Sequence, residues 1–267
     1  MSPSWTSRFT AVIRPDRAAL VRRQGSAPQL QLQAEAPCAA ATPQAAAAAL
    51  ADVLSRAGTA AGELTIVLSN EFVQYLLVSS PAQVGNRAEL SAFAAVCFDE
   101  TFGADPGRVI LTGREQQPGV RIAAALGGGL LAGLRETAAR SPLRVVSIQP
   151  YLSAVFNRLR RTLPPSDFAF LVAEPDRSCL MLANKGAWRS VRNTAVPAKP
   201  RELANLIERE AVLAGLGEHE MPPIFVHAPG QDGLQVPACQ GVVPRTISCP
   251  GAGGGPDPLL AMAGAVA

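Results

Sequence analysis

The chain has 267 residues, enough for one large domain or two small ones that share a core. Hydrophobic residues make up 48% and charged residues 17%, a globular balance, and a formal net charge of +3 is too small to imply a nucleic-acid partner. The five cysteines (Cys38, Cys97, Cys179, Cys239, Cys249) are odd in number and form no C-x-x-C pair, so they read as reduced thiols of a cytoplasmic protein; with only His219 and His227, a histidine-rich metal site is excluded.

In chain order, Phe9 to Ile13 predicts a strand, Arg14-Pro15-Asp16-Arg17 a turn, and Ala18 to Arg22 a second strand. Gly25 to Pro28 is a turn, and the alternation LQLQA at Leu30 to Ala34 predicts a half-exposed third strand. Thr42 and Pro43 are an N-cap and a first-turn proline for a helix that Gly58 stops. Glu63 to Leu68 is a strand, Ser69-Asn70-Glu71 a turn, and Phe72 to Val78 a strand. Asn86 and Glu89 have capping-box spacing and open a helix that ends at Gly103. Strands at Arg108 to Leu111 and Val120 to Leu126 flank the polar turn GREQQPG, and a helix over Gly128 to Ala139 leads to a strand at Leu143 to Ile148. Pro150 to Leu163 predicts a helix, and Pro164-Pro165 is the clearest boundary.

Phe168 to Asn193 then predicts a second three-strand meander, with Glu174-Pro175-Asp176-Arg177 at its first turn. The tripeptide Pro-Asp-Arg thus stands in the same setting in both meanders, which points to two related halves. A helix over Lys199 to Leu216, a strand at Pro223 to His227, a strand at Val242 to Ser248 and a closing helix at Pro256 to Val266 complete the expectation. Mixed hairpins and crossovers give an α/β fold with two lobes, 1–163 and 164–267, and an inserted α/β subdomain over about 63–140. The uncharged stretch Ile122 to Leu134 is shorter than the roughly 20 residues of a spanning helix, and MSPSWTSRF lacks the apolar segment of a signal peptide.

The strand pair in ELTIVLSNEFVQYLLVSSP, the pair VILTGREQQPGVRIAAAL leading into GLLAGLRETAARS, the segment LRVVSIQPYLSAVFNRL and the C-terminal PDPLLAMAGAVA are arranged as in the actin-like ATPase superfamily. Within it the chain resembles the PilM-like proteins of type IV pilus assembly and the cytoplasmic domain of GspL-like proteins of type II secretion. That resemblance implies a two-lobed, ribonuclease H-like duplicated fold with mixed sheets. It also makes the two Pro-Asp-Arg turns phosphate-loop positions, and Ala228-Pro229-Gly230 the position of an adenosine-binding double glycine. In active members glycines let backbone N–H groups approach phosphate. Here Arg14, Pro15, Asp16 and Arg17 contain no glycine, nor do Glu174, Pro175, Asp176 and Arg177, while proline lacks an N–H and the aspartates repel an anion.

The expectation is a pseudo-ATPase without catalytic residues, cofactor or metal. The resemblance implies a cytoplasmic scaffold, peripheral at the inner membrane through a partner. That partner is the cytoplasmic tail of a bitopic assembly protein or an assembly ATPase. The alternatives are a divergent ATPase or kinase of the same fold and an unrelated α/β regulatory protein.

Several features admit two readings. Arg17 and Arg177 serve their turns or meet an anion; Glu174 is a solvated turn carboxylate or a residual metal ligand. Arg158, Arg160 and Arg161 form a solvated helix face or contact acidic partners or phosphates. Gly127 to Gly129 lacks the Lys-Ser/Thr of a P-loop, and GAGGG at Gly251 to Gly255 reads as a linker. Cys97 and Cys179 read as core thiols, whereas Cys239 and Cys249 fall on loops that could be exposed. His219 lies between Glu218 and Glu220 as a polar loop or a weak metal site, His227 is a satisfied edge or buried histidine, and Trp188 is either a core side chain or an exposed anchor for a partner peptide.

Overall fold

The computed structural model describes residues 7–24, 29–115, 118–217, 219–250 and 257–267. The turn expected at 25–28, the glycine run at 251–255 and Glu218 lie outside them.

The first sheet has the order β3-β2-β1-β4-β8, built from β1 (Ser7–Ile13), β2 (Arg17–Gln24), β3 (Gln29–Pro37), β4 (Gly62–Leu68) and β8 (Leu143–Pro150). The meander is antiparallel, and β4 and β8 run parallel to β1. The second sheet repeats that order as β11-β10-β9-β12-β13, from β9 (Phe168–Ala173), β10 (Ser178–Asn184), β11 (Ala187–Thr194), β12 (Ile224–His227) and β13 (Arg245–Thr246). Its strand directions match as well.

The second sheet is covered on both faces, and β9 shows why its sequence FAFLVA is unbroken by polar residues. Side chains alternate across a strand. Phe168, Phe170 and Val172 enter the large core shared with the first lobe, while Ala169, Leu171 and Ala173 pack with Leu203, Leu206 and Ile207 of helix α5 (Pro200–Leu213).

Helix α1 (Pro43–Ala57) follows its sequence signals: Thr42 accepts from the Ala45 N–H and Gly58 takes the left-handed conformation. It packs on β2, β3 and helix α3 (Gly128–Ala139).

A third sheet, β5-β7-β6, is antiparallel and formed by β5 (Gln74–Ser79), β6 (Arg108–Thr112) and β7 (Val120–Gly127). Helix α2 (Arg87–Phe102) covers it, with Phe98 and Ala94 against Val78, Ala123 and Ala125. The segment expected as an insertion is therefore divided: β4 pairs along the whole of β1 in the first sheet, and α3 packs on α1. The inserted subdomain runs from β5 to β7.

Helix α4 (Tyr151–Leu159) stops four residues before the expected end: Arg160 keeps helical angles, the Thr162 N–H donates to the Leu159 carbonyl at 2.8 Å in a closing turn, and Pro164 disfavours helical conformation at Leu163. The expected strand at Val242 to Ser248 shrinks to β13; Pro244 offers no N–H, and Val242 turns back to bridge Cys239. The chain closes with α6 (Pro258–Ala263), capped by Asp257, and a 3-10 turn at Gly264–Val266. Among the described residues no helix is long and apolar enough to cross a membrane.

Candidate functional site between the lobes

The hairpins β1–β2 and β9–β10 end in equivalent turns. The Arg14 N–H donates to the Arg17 carbonyl at 2.9 Å, and the Glu174 N–H to the Arg177 carbonyl at 2.8 Å. In both turns the first residue is buried, the aspartate is exposed, and the proline and arginine are half-buried.

The turns differ in what their buried leading side chains reach. Arg14 Nε donates to Asp16 Oδ1 at 3.0 Å within its own turn, and its Nη1 is buried without a partner. Glu174, 3% exposed, crosses to the other lobe. Its Oε1 accepts from the Asn70 backbone N–H at 2.9 Å and from Asn70 Nδ2 at 2.8 Å. Burial pushes the Glu174 carboxyl above its ordinary range, against the pull of hydrogen bonds from Ser69 and Asn70 and of the nearby Arg14 charge.

Asn70 opens a 3-10 turn, Asn70–Phe72, between β4 and β5. Its Oδ1 accepts from the Tyr75 hydroxyl at 2.8 Å and the Leu152 N–H at 3.0 Å. Asn193 Nδ2 donates to the carbonyls of Asn70 at 2.8 Å and Val73 at 2.7 Å. Arg177 pairs with Glu71 and donates to Asn193 Oδ1 at 3.2 Å. Arg17 pairs instead with Asp16 and Glu35. Both arginines that could have met an anion are engaged by side chains of the protein itself.

A second link closes the cleft beside this one. The Tyr151 hydroxyl, from the first lobe, lies 2.7 Å from His227 Nε2, and His227 Nδ1 lies 3.0 Å from the Ile247 carbonyl. A carbonyl can only accept, so Nδ1 carries the proton and Nε2 accepts from Tyr151. Burial depresses the His227 pKa and holds this neutral form. The segment Ala228-Pro229-Gly230, expected as the adenosine-turn position, is a β-turn in which the Gln231 N–H donates to the Ala228 carbonyl at 3.2 Å. Gly230 has φ 73°, as the third residue of a type II turn requires.

Next to this filled cleft lies an open groove of about 940 Å³ between the inserted subdomain, α4 and the second sheet. Tyr75, Ile122, Phe156 and Trp188 give it apolar walls, and Arg114, Arg160 and Arg161 outnumber Glu115 at its polar rim. Edge strand β6 adds Leu111, 47% exposed, and Thr112.

Several sequence expectations change. Glu174 is not a solvated turn carboxylate; its partner Asn70 takes it into the interior. Trp188 is 8% exposed and packs edge-on to Phe168 with ring centres 5.7 Å apart, so it is a core side chain that also walls the groove. Cys239 and Cys249 are buried, and burial raises both thiols to about 11; Cys97 is half-buried rather than core. The Gly128 N–H donates to the Gly107 carbonyl at 2.7 Å, and a Cβ there would meet that oxygen at 2.3 Å, so close backbone packing explains this glycine. The reading of His219 with Glu218 and Glu220 rests on Glu218, which lies outside the described residues.

No protein-family model matches the chain, and no curated protein matches it in sequence. Solved structures do match. The protein in a PilM–PilN type IV pilus biogenesis complex superposes with TM-score 0.61 at 16% identity, over 90% of this chain and 88% of its own. The cytoplasmic domain of EpsL, an inner-membrane component of the Vibrio cholerae type II secretion system, gives 0.57 at 12% identity, over 91% and 86%. A Bacteroides thetaiotaomicron protein of unknown function with an actin-like ATPase fold gives 0.57 at 9% identity, over 85% and 83%. The repeated sheet order, the equivalent hairpin turns and these superpositions together establish that the chain has the actin-like ATPase fold.

Proposed function

We propose that this protein is a pseudo-ATPase that keeps the actin-like fold as a docking scaffold and holds a cytoplasmic segment of a membrane assembly protein. The observation that carries the proposal is the occupied cleft. At the second of the two turns that the resemblance makes phosphate positions, Glu174 bonds to Asn70; beside it Tyr151 bonds to His227, and all four side chains are buried. A nucleotide phosphate would have to displace a buried carboxylate and break these bonds, and the turns offer no glycine backbone in exchange.

The groove beside the cleft suits an extended segment. β6 is an edge strand, so a partner can add a strand to it, place apolar side chains against Phe156 and Trp188, and set carboxylates near Arg114, Arg160 and Arg161. Two structures of the same fold point to the setting: one is of a PilM–PilN pilus biogenesis complex, the other a domain of an inner-membrane secretion component. The expected site of action is therefore the cytoplasmic face of an inner membrane, reached through the partner.

The test is affinity recovery from solubilised membranes with the wild-type protein and a Leu111→Asp variant. Leu111 is exposed, so the substitution leaves the core intact. Recovery of a one-span membrane protein by the wild type, lost with Leu111→Asp, is expected. Equal recovery by both would remove the groove from the account.

A further inference from the structure

The inserted subdomain is joined to the body at two places. At one, β7 runs directly into α3, and the Gly128 N–H is tied to Gly107 of the insert itself. At the other, β4 passes through Ser69–Val73 into β5, and here the contacts go outward to three bodies. Leu152 of the first lobe, Tyr75 of the insert, and Glu174 and Asn193 of the second lobe all bond to Asn70, which is 1% exposed. Its N–H, its carbonyl and both side-chain atoms are all engaged.

The same residues build the groove. Tyr75 and Leu152 belong both to the Asn70 cluster and to the groove wall. β11 carries Asn193 at one end and Trp188 at the other, and it packs directly on β5 and β7. We propose that Glu174 is a positioning residue: by holding Asn70 it latches the inserted subdomain to the second lobe and fixes the width of the groove. The former phosphate position would then act through an internal carboxylate that does permanently what a bound ligand would do only when present. This latch presupposes the docking role of the groove, yet it can be read without any partner.

The experiment uses the full chain with Trp5→Phe, which leaves Trp188 as the sole tryptophan. Glu174→Ala removes the acceptor and strands two buried donors of Asn70; Glu174→Gln keeps an acceptor oxygen in place. With Glu174→Ala, amide exchange over residues 70–79 should quicken on the order of tenfold and acrylamide should quench Trp188 more strongly, while the β9 amides keep wild-type protection. Glu174→Gln should behave as the wild type. If Glu174→Ala does not fold, Asn193→Ala, at a half-buried position, should move both readouts in the same direction by less.

Unchanged exchange over 70–79 and unchanged quenching would overturn the latch. So would a rise that the β9 amides share, because that is global loosening. The docking role fails separately, through the Leu111→Asp comparison.

Discussion

The turns Arg14–Arg17 and Glu174–Arg177 share backbone hydrogen bonding and burial order, yet one leads with a cation and the other with an anion. The second turn reaches the other lobe: β4 is followed by Ser69-Asn70-Glu71, and the Asn70 side-chain amide donates to Glu174. The first turn closes on itself, with Arg14 Nε donating to Asp16. The two turns share a backbone form, and they differ in their leading side chains and in the partners these reach.

Removing the partner that the two turns do not share should break the comparison most strongly. Asn70→Ala takes the side-chain acceptor from the Tyr75 hydroxyl and the Leu152 N–H and leaves Glu174 only the backbone N–H of residue 70, and should cost about 3–4 kcal/mol in urea unfolding. Glu174→Ala should cost about 2–3 kcal/mol, since Asn70 keeps its bonds to Tyr75 and Leu152.

Glu174→Gln sharpens the charge half of the contrast. The raised folded-state pKa of Glu174 means that the folded protein holds the proton more tightly than the unfolded chain. Its stabilising contribution is full below the ordinary glutamate range and is lost as pH rises through the folded value. Burial depresses His227, so its contribution is full above about 6.5 and is lost as pH falls through the folded value. The two trends oppose each other in the wild type. Glu174→Gln should be at least as stable as the wild type at pH 7, and should lose more stability than the wild type between pH 7 and pH 5, read as melting temperature in matched buffers.

The exposed turn tips should matter least. Asp16→Ala frees Arg14 Nε and should cost about 1 kcal/mol, whereas Asp176→Ala should stay within about 0.5 kcal/mol. Equal effects would mean that Asp16 does not hold Arg14.

Local chemistry made much of this legible in the sequence. Thr42, Gly58 and the Asn86/Glu89 box marked helix ends through short-range hydrogen bonds, and the paired Pro-Asp-Arg turns revealed the duplication. The site was less legible, because its decisive bonds join distant residues. Glu174 and Asn70 are 104 positions apart, and a turn carboxylate beside proline and aspartate has every local mark of a solvated one. Trp188 and the loop cysteines Cys239 and Cys249 were ambiguous for the same reason, since their burial depends on the other elements that cover them. The limits of the insertion are not legible locally, because β4 and β5 are both apolar strands in sequence and differ in the strand each pairs with.

The central claim is that side chains of the protein itself occupy the place of the nucleotide. Calorimetric titration of the full chain with ATP and magnesium tests it most directly. The account predicts no binding up to about 1 mM, and a Kd tighter than about 100 μM, roughly −5.5 kcal/mol, would contradict it.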